Sequence, residues 1–588
     1  MPRREGRGMS RRDWYLATNS IVLLWIVLAL VAVGVHRFVD RPLWLMVHVP
    51  LLGAASAAIL IWSQHFADTL LRRPAPGGRV GLGARLGLHT LGAAAVVAGM
   101  LTDALPLAVA GAVAVGVAVL AHAGILLVQS RAALPTRFAP VVRYSATAAV
   151  VFPLGIAAGA VLAAIEDPAI GDRLVMSHLV LNAFGWIGTT VLGTLVLLWP
   201  TVLHARIPDT ADAAARRALP ILLVGLGIAA AGPLLDLRPL VAVGLAVWLA
   251  GAALLAREGW REARTAPPAS FAGYSLAAGF GWGLATAATI AVLALAAPDW
   301  AGLREASLRA LGPLVAGFAV QVLTGALSFL LPVVALGSPA AARAGARELD
   351  RGAVFRVVAF NGALLLFLLP LPSIVSVLVS LVPAAVVAAF LVLAVRALVV
   401  GRRVRREEGA HPDRSGRLLV GAPTAEAPPP RHPRTGAIAA AFTVLALCVT
   451  GGVAVDPTAS GIAVASAAGE AAPTGQTTRV TVRVDGMRFT PDVIKVPAGD
   501  VLVVTFENTG ADVHDLTFAN GIRTQRLAPG ASETIEVGVI GTDLAGWCSI
   551  AGHRQMGMEL TVRAIGGVAA EGDGSGDHDH DGGSGGAS

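Results

Sequence analysis

Runs of about 20 apolar residues recur from Asn19 to Val455, and no other feature limits so sharply what this chain can fold into. A bilayer core offers no water to backbone amides, so such a run crosses as a helix that satisfies its own hydrogen bonds. About thirteen spans can be placed, near 18–36, 42–62, 82–104, 106–128, 141–165, 174–203, 216–235, 237–256, 272–297, 310–337, 353–370, 372–398 and 435–455. Hydrophobic residues make up 55% of the chain and charged residues 14%, where a soluble globular protein carries roughly 25% charged. The net charge of +7 then argues for membrane topology and not for a nucleic-acid partner, because the arginines fall in the short loops between apolar runs. The two cysteines cannot build a disulfide framework, and Cys448 lies inside an apolar run while Cys548 lies well beyond it.

The arginines also orient the chain. The N-terminus reads MPRREGRGMSRR and the loop after the second span LLRRPAPGGRVGLGAR. Alternate loops then carry Arg131 and Arg137, Arg206 and Arg216, Arg257 and Arg264, Arg343 and Arg351, and finally GRRVRREEGAHPDRSGR. The intervening loops, TDALP, IEDPAIGD, LDLRP and APDWAG, are short or acidic. This positive-inside pattern places the N-terminus in the cytoplasm of a multi-pass cell-membrane protein, and an odd number of spans leaves everything after residue 455 outside. The last span is expected to be an anchor; the AVASAAG stretch behind it also has the small residues that a signal peptidase cuts.

Ionisable groups within spans are costly and point to function. On this topology His36, His48 and His178 lie toward the outer face, and His65, His89, His122 and His204 toward the cytoplasmic face. His48 and His65 sit on one helix and are separated by roughly 25 Å at 1.5 Å per residue, so they cannot share a site. His48 and His178 are expected to converge from different helices, where a facing imidazole pair would hold a haem iron or copper, or border a quinol. In the sixth span His178, Asn182 and Trp186 follow at helical spacing, and Gly185, Gly188 and Gly193 allow close packing.

After Val455 a small-residue linker gives way to period-two alternation: TTRVTVRV, VLVVTFEN, TIEVGV and MELTVRA, separated by glycine, proline and asparagine turns. Short strands at this spacing indicate an all-β sandwich of about 90 residues. Near its end, WCSIAGHRQMGM presents Cys548, His553 and Met558 at C-x4-H and H-x4-M, with Met556 at H-x2-M. Upstream, His514 sits in ENTGADVHDLTF, where a strand leaves a turn. One cysteine, two histidines and a methionine form the trigonal donor set with a weak axial thioether that suits copper in one-electron exchange. A binuclear copper site would need a cysteine at position 552, which is Gly, and a structural zinc site usually takes more cysteines.

These stretches, together with VPAGDVLVVTFENTGADVHDLTF, resemble the cupredoxins, the plastocyanin and azurin fold. The loop C-S-x-x-G-H-x-x-x-G-M is similar to that of cupredoxin domains in bacterial multicopper oxidases and copper nitrite reductases. The resemblance implies one type 1 (blue) copper site held by His514, Cys548, His553 and Met558, with Met556 not a ligand. Many cupredoxins place Asn after the first histidine to tie the ligand loops together; here Asp515 stands there, with an added charge expected to lower the potential or shift the partner surface without removing copper. The membrane part, through LMVHVPLLGAASAAILIWSQHFADTLLRRPAPGG and the sixth span, is similar to the membrane half of actinobacterial multicopper oxidase or copper nitrite reductase-like fusion proteins, which in turn is similar to haem-copper oxidases and haem-binding NnrS-type proteins.

The organisation expected is therefore a basic cytoplasmic N-terminus (1–17), a polytopic α-helical membrane domain (18–398), a basic, proline-rich cytoplasmic loop (399–434), a last span (435–455), a linker (456–476), the cupredoxin sandwich (477–566) and a tail (567–588) whose DHDHD carries His578 and His580. The expected role is one-electron transfer at the outer membrane face, as a component of an oxidoreductase system. The redox partner is expected to be a protein or a quinol, with haem b or a quinol near His48 and His178. Copper capture or transport, and a haem-binding oxidoreductase of nitrogen-oxide metabolism, are the alternatives; against transport, only Met46, Met100 and Met176 lie in or beside the spans. No second set of histidines for a nitrite reductase or multicopper oxidase centre is recognisable.

Overall fold

A computed structural model describes residues 10–133, 139–369, 371–410, 434–455, 472–510, 512–550 and 553–566. The extreme N-terminus, most of the loop before the last span, the linker with its AVASAAG motif and the histidine-bearing tail lie outside the described residues. The described chain has a helical unit and a β unit.

Twelve helices in the described residues are long and apolar enough to cross a bilayer. The expected span at 353–370 is instead the 15-residue helix Ala353–Phe367. At 1.5 Å per residue it reaches roughly 22 Å, short of a hydrocarbon core of about 30 Å. Helix starts follow local chemistry: the side chains of Asp167, Ser270, Asp299 and Ser338 accept backbone N–H bonds of the first turn.

Three helices differ from the rest. Pro42–Leu70, Pro168–Val202 and Trp300–Leu336 are each interrupted by a π-helical segment, at Val49–Ala55, Val180–Gly188 and Pro313–Val320. They are the second, sixth and tenth spans, so the interruption recurs every fourth span. Each π segment packs on the span just before it, Arg11–Val35, Ala139–Ala164 or Phe271–Ala296. Glycines make this approach possible: a Cβ at Gly53 would lie 2.3 Å from the Trp25 ring, and one at Gly317 would lie 2.7 Å from the Trp282 ring. The three interrupted helices also meet one another, with Trp186 Nε1 donating to Ser56 Oγ at 2.9 Å. They are the most buried spans, at 61, 61 and 72% against 44% or less for the others. The three interrupted helices, each packed on the span before it, form the most buried part of the helical unit.

The β unit is a sandwich of two four-stranded sheets. One has the order β2-β1-β4-β6 and the other β3-β8-β7-β5, with β1 Thr477–Asp485, β2 Arg488–Thr490, β3 Val493–Pro497, β4 Val501–Glu507, β5 Thr517–Phe518, β6 Ser532–Val539, β7 Leu544–Trp547 and β8 Glu559–Ile565. The β1–β4 and β3–β8 pairs are parallel and the others antiparallel. Alternation read from sequence becomes alternate burial along β4, whose Leu502, Val504 and Phe506 are fully buried. Both sheets contribute to one core, in which Phe489 and Phe506 pack edge to face at 5.8 Å.

Candidate metal centre

The loop after β4 is organised by Asn508, which the sequence reading passed over. Its buried amide donates to Asp512 O at 2.7 Å and Leu527 O at 2.8 Å, and its Oδ1 accepts from Gly510 N at 3.1 Å. An ENTG turn predicts a bend but not this reach across to residue 527. His514 follows and forms a two-way backbone bridge with Leu527, N–H to O at 3.1 and 2.8 Å. Its ring is 1% exposed.

Cys548 and His553 flank the loop that leaves β7, and Met558 sits where the chain enters β8. Cys548 N donates to Met558 O at 3.0 Å and Met558 N to His553 O at 3.1 Å, which folds the loop back upon itself. Gly557 takes a left-handed φ of 98° at the turn that makes this possible. The outcome is a convergence of donors. His553 Nδ1 lies 3.2 Å from His514 Nδ1 and 3.6 Å from Cys548 Sγ. One donor atom from each of His514, Cys548 and His553 falls within 4.8 Å of the other two, the one such group of three among the described residues. Cys548 and Met558 are fully buried in the same core, whereas Met556 is half-buried.

Asp515 joins the two halves. Its Oδ1 accepts from Ser549 N at 2.6 Å and its Oδ2 from Ser549 Oγ at 2.5 Å, so the residue after His514 is fastened to the residue after Cys548. Arg526 Nε lies 3.8 Å from Oδ2.

The electrostatics suit a bound cation. Burial pulls His514 below its ordinary pKa against the nearby Asp512 and Asp515, and pulls His553 down to about 4, helped by His514 and Arg526. Both imidazoles therefore stay neutral with lone pairs to give. Burial, with the Asp515 charge, pushes the Cys548 thiol up to about 12. A metal that displaces this proton neutralises the thiolate it creates. Two nitrogens, a thiolate and an adjacent thioether fit copper.

The membrane histidines separate into two groups. His48 and His178 come together from the second and sixth spans, ring centroids 5.9 Å apart. His48 Nδ1 lies 2.8 Å from Trp44 O, and His178 Nδ1 lies 2.9 Å from Gly155 O and 3.1 Å from Asn182 Nδ2. His122 Nε2 bonds Ser63 Oγ at 2.8 Å, and His65 Nδ1 bonds Tyr15 Oη at 2.7 Å. His89 is fully buried with neither ring nitrogen paired among the described residues. His36 and His204 bond the nearby carbonyls of Val33 and Val202. A separate, largely apolar cavity of about 560 Å³ is lined by Leu192, Trp199, Leu255, Phe280 and the carboxylates Glu258 and Glu262.

Residues 458–541 match the cupredoxin-like domain family. The match includes His514 and ends before Cys548, His553 and Met558. Among solved structures, the chain is similar to Na-dithionite reduced auracyanin from the photosynthetic bacterium Roseiflexus castenholzii, at 21% identity, over 16% of this chain and 99% of that one, with a TM-score of 0.14. No curated protein matches the chain. The C-terminal unit is thus a cupredoxin-like domain, a fold that implies copper and copper-linked electron transfer, in a chain rich in helices apolar enough for a membrane.

Proposed function

We propose that this protein is a membrane-anchored blue-copper protein that passes single electrons at the extracytoplasmic face. One observation carries the reading: Cys548 Sγ and the Nδ1 atoms of His553 and His514 converge in a β-sandwich core, with Met558 buried beside them. Copper held there supplies a one-electron Cu(II)/Cu(I) couple. The protein supplies rigidity. His514 is pinned by its bridge to Leu527, Cys548 by its bond to Met558 O, and the two segments by Asp515, so the donors move little when the charge changes. Four protein donors leave no open position for a substrate, which favours relay over catalysis at the metal.

Arginine-rich alternate loops support a cytoplasmic N-terminus, and the basic stretch at Arg402, Arg403, Arg405 and Arg406 supports a cytoplasmic loop ahead of the last span, so that Arg434–Val455 leads the copper domain outside. The redox partner is then a protein on that side or a quinol in the membrane, and a group near His48 and His178 couples the two parts.

The test is the oxidised-state visible and EPR spectrum of purified, copper-loaded full-length protein. The expected result is an intense thiolate-to-copper charge-transfer band, bleached reversibly by one electron per site and absent in Cys548→Ser. A colourless site that gives its copper readily to a chelator in both redox states would turn the reading toward copper capture. Haem bands on reduction would identify haem b as the coupling group.

A further inference from the structure

The second and sixth spans share more than a π segment. Met46-Val47-His48 ends one residue before the first interruption, and Met176-Ser177-His178 ends two residues before the second. The tenth span has Arg309-Ala310-Leu311-Gly312 at that place. A π segment inside an α-helix opens the ladder by one residue and often marks a functional site. Here two of three such segments carry a histidine at their entrance, and the fold brings those two rings to 5.9 Å.

The surroundings hold each ring in one orientation. His48 stacks on Trp44, centroids 4.2 Å apart and 14° from parallel, and its Nδ1 donates to Trp44 O. Gly155 O can only accept, so His178 Nδ1 donates to it at 2.9 Å, while Asn182 Nδ2, 3.1 Å from that nitrogen, donates to His178 O at 2.8 Å. The helix it faces carries Gly155 and Gly159: a Cβ at Gly159 would fall 2.6 Å from His178 Cε1, and a Cβ at Gly155 would fall 2.3 Å from Asn182 Oδ1. These positions keep space for the imidazole. With Nδ1–H given to a carbonyl in both rings, the lone pair lies on Nε2, the arrangement by which proteins orient a ligating histidine.

We propose that His48 and His178 bind a second copper ion, as Cu(I), through their Nε2 atoms. Two metal–nitrogen bonds of about 2 Å plus the two ring radii come to roughly 6 Å, close to the observed separation. Among the described residues no third histidine, cysteine or carboxylate joins the pair. Zinc seeks four ligands, and a divalent ion with no carboxylate near it is costly in a low-dielectric interior. A monovalent ion content with two neutral imidazoles avoids both. Met46 and Met176 lie two residues back and so point to other sides of their helices; sulfur is not part of the site.

The proposal is independent of the cupredoxin reading, and Cys548→Ser separates them. Full-length Cys548→Ser protein, loaded anaerobically with Cu(I) and freed of excess, is expected to retain one copper per chain that the wild type binds beyond its blue site. X-ray absorption of that copper is expected to show two nitrogen neighbours and no sulfur. His48→Leu and His178→Leu are each expected to lose one copper per chain while the blue band stays. No copper in Cys548→Ser, a sulfur neighbour, or four light-atom neighbours would overturn the proposal. So would a b-type haem in the wild type that is lost with His48 or His178. The absorption measurement needs no change at the membrane pair, so the proposal remains exposed even if the histidine variants fail to fold.

Discussion

Replacing Asp515 with Asn tests how charge beside the metal centre sets its potential. The carboxylate is 4% exposed and accepts two hydrogen bonds from Ser549. Asn keeps the shape, since its Oδ1 can still accept from Ser549 N while its amide donates to Ser549 Oγ. What changes is one buried negative charge. Taking a separation on the order of 7 Å and an effective dielectric of about 20, one unit charge is worth ~2 kcal/mol. Arg526, 3.8 Å away, offsets part of it and brings the net to ~1 kcal/mol, roughly 50 mV for a one-electron couple. A negative charge favours the oxidised, more positive state, so Asp515→Asn should raise the potential. Redox titration of the blue band in copper-loaded wild-type and variant protein reads the shift, and an unchanged band position shows that the ligands have not moved. An unaltered or lowered potential with an intact spectrum would refute the reasoning.

Asn508→Ala removes the side-chain bonds to Asp512 O, Leu527 O and Gly510 N, of which Leu527 O keeps the His514 N–H; the β unit should lose ~1–2 kcal/mol of stability, read as a fall in its calorimetric transition with copper bound less tightly. In the metal-free protein His553 has a pKa near 4 against an ordinary 6.5, so the unfolded chain takes up the proton first. The stabilisation is complete above about pH 6.5 and falls as pH drops toward 4, by at most ~3 kcal/mol; thermal unfolding of the metal-free protein across that range checks the sign. Metal-free Cys548, fully buried with its thiol near 12, should resist alkylation at pH 8 until the domain unfolds, and fast labelling by mass spectrometry would count against this geometry. Gly159→Ala should displace the His178 ring, with loss of the membrane copper and retention of the blue band.

Much of the candidate site was legible because its chemistry is local. Cys548, His553 and Met558 lie in one loop, and H-x4-M and C-x4-H spacings carry a donor set whatever the fold around them. His514 was legible from its position at the end of a strand. Asn508 was not, because its partners are at residues 512 and 527 and no spacing rule links them. The spans were read from hydropathy, which responds to composition over a window and not to register. It gave the place of the helices but missed the π segments at Val49–Ala55, Val180–Gly188 and Pro313–Val320, whose i→i+5 bonding leaves composition unchanged. It also stretched Ala353–Phe367 into a full span, since the apolar run continues past the helix end.

By itself, then, the sequence determined the division into a bilayer-compatible helical part and an alternating β part. Solvent preference is a property of each segment and is written residue by residue. Only the tertiary structure decided that Asp515 fastens Ser549, that the second, sixth and tenth spans meet, and that His48 and His178 stand 5.9 Å apart. Each depends on the packing of segments far apart in the chain. That packing is settled by the close approach of surfaces, such as Gly53 on Trp25 and Gly159 on His178, and a one-dimensional pattern does not encode it.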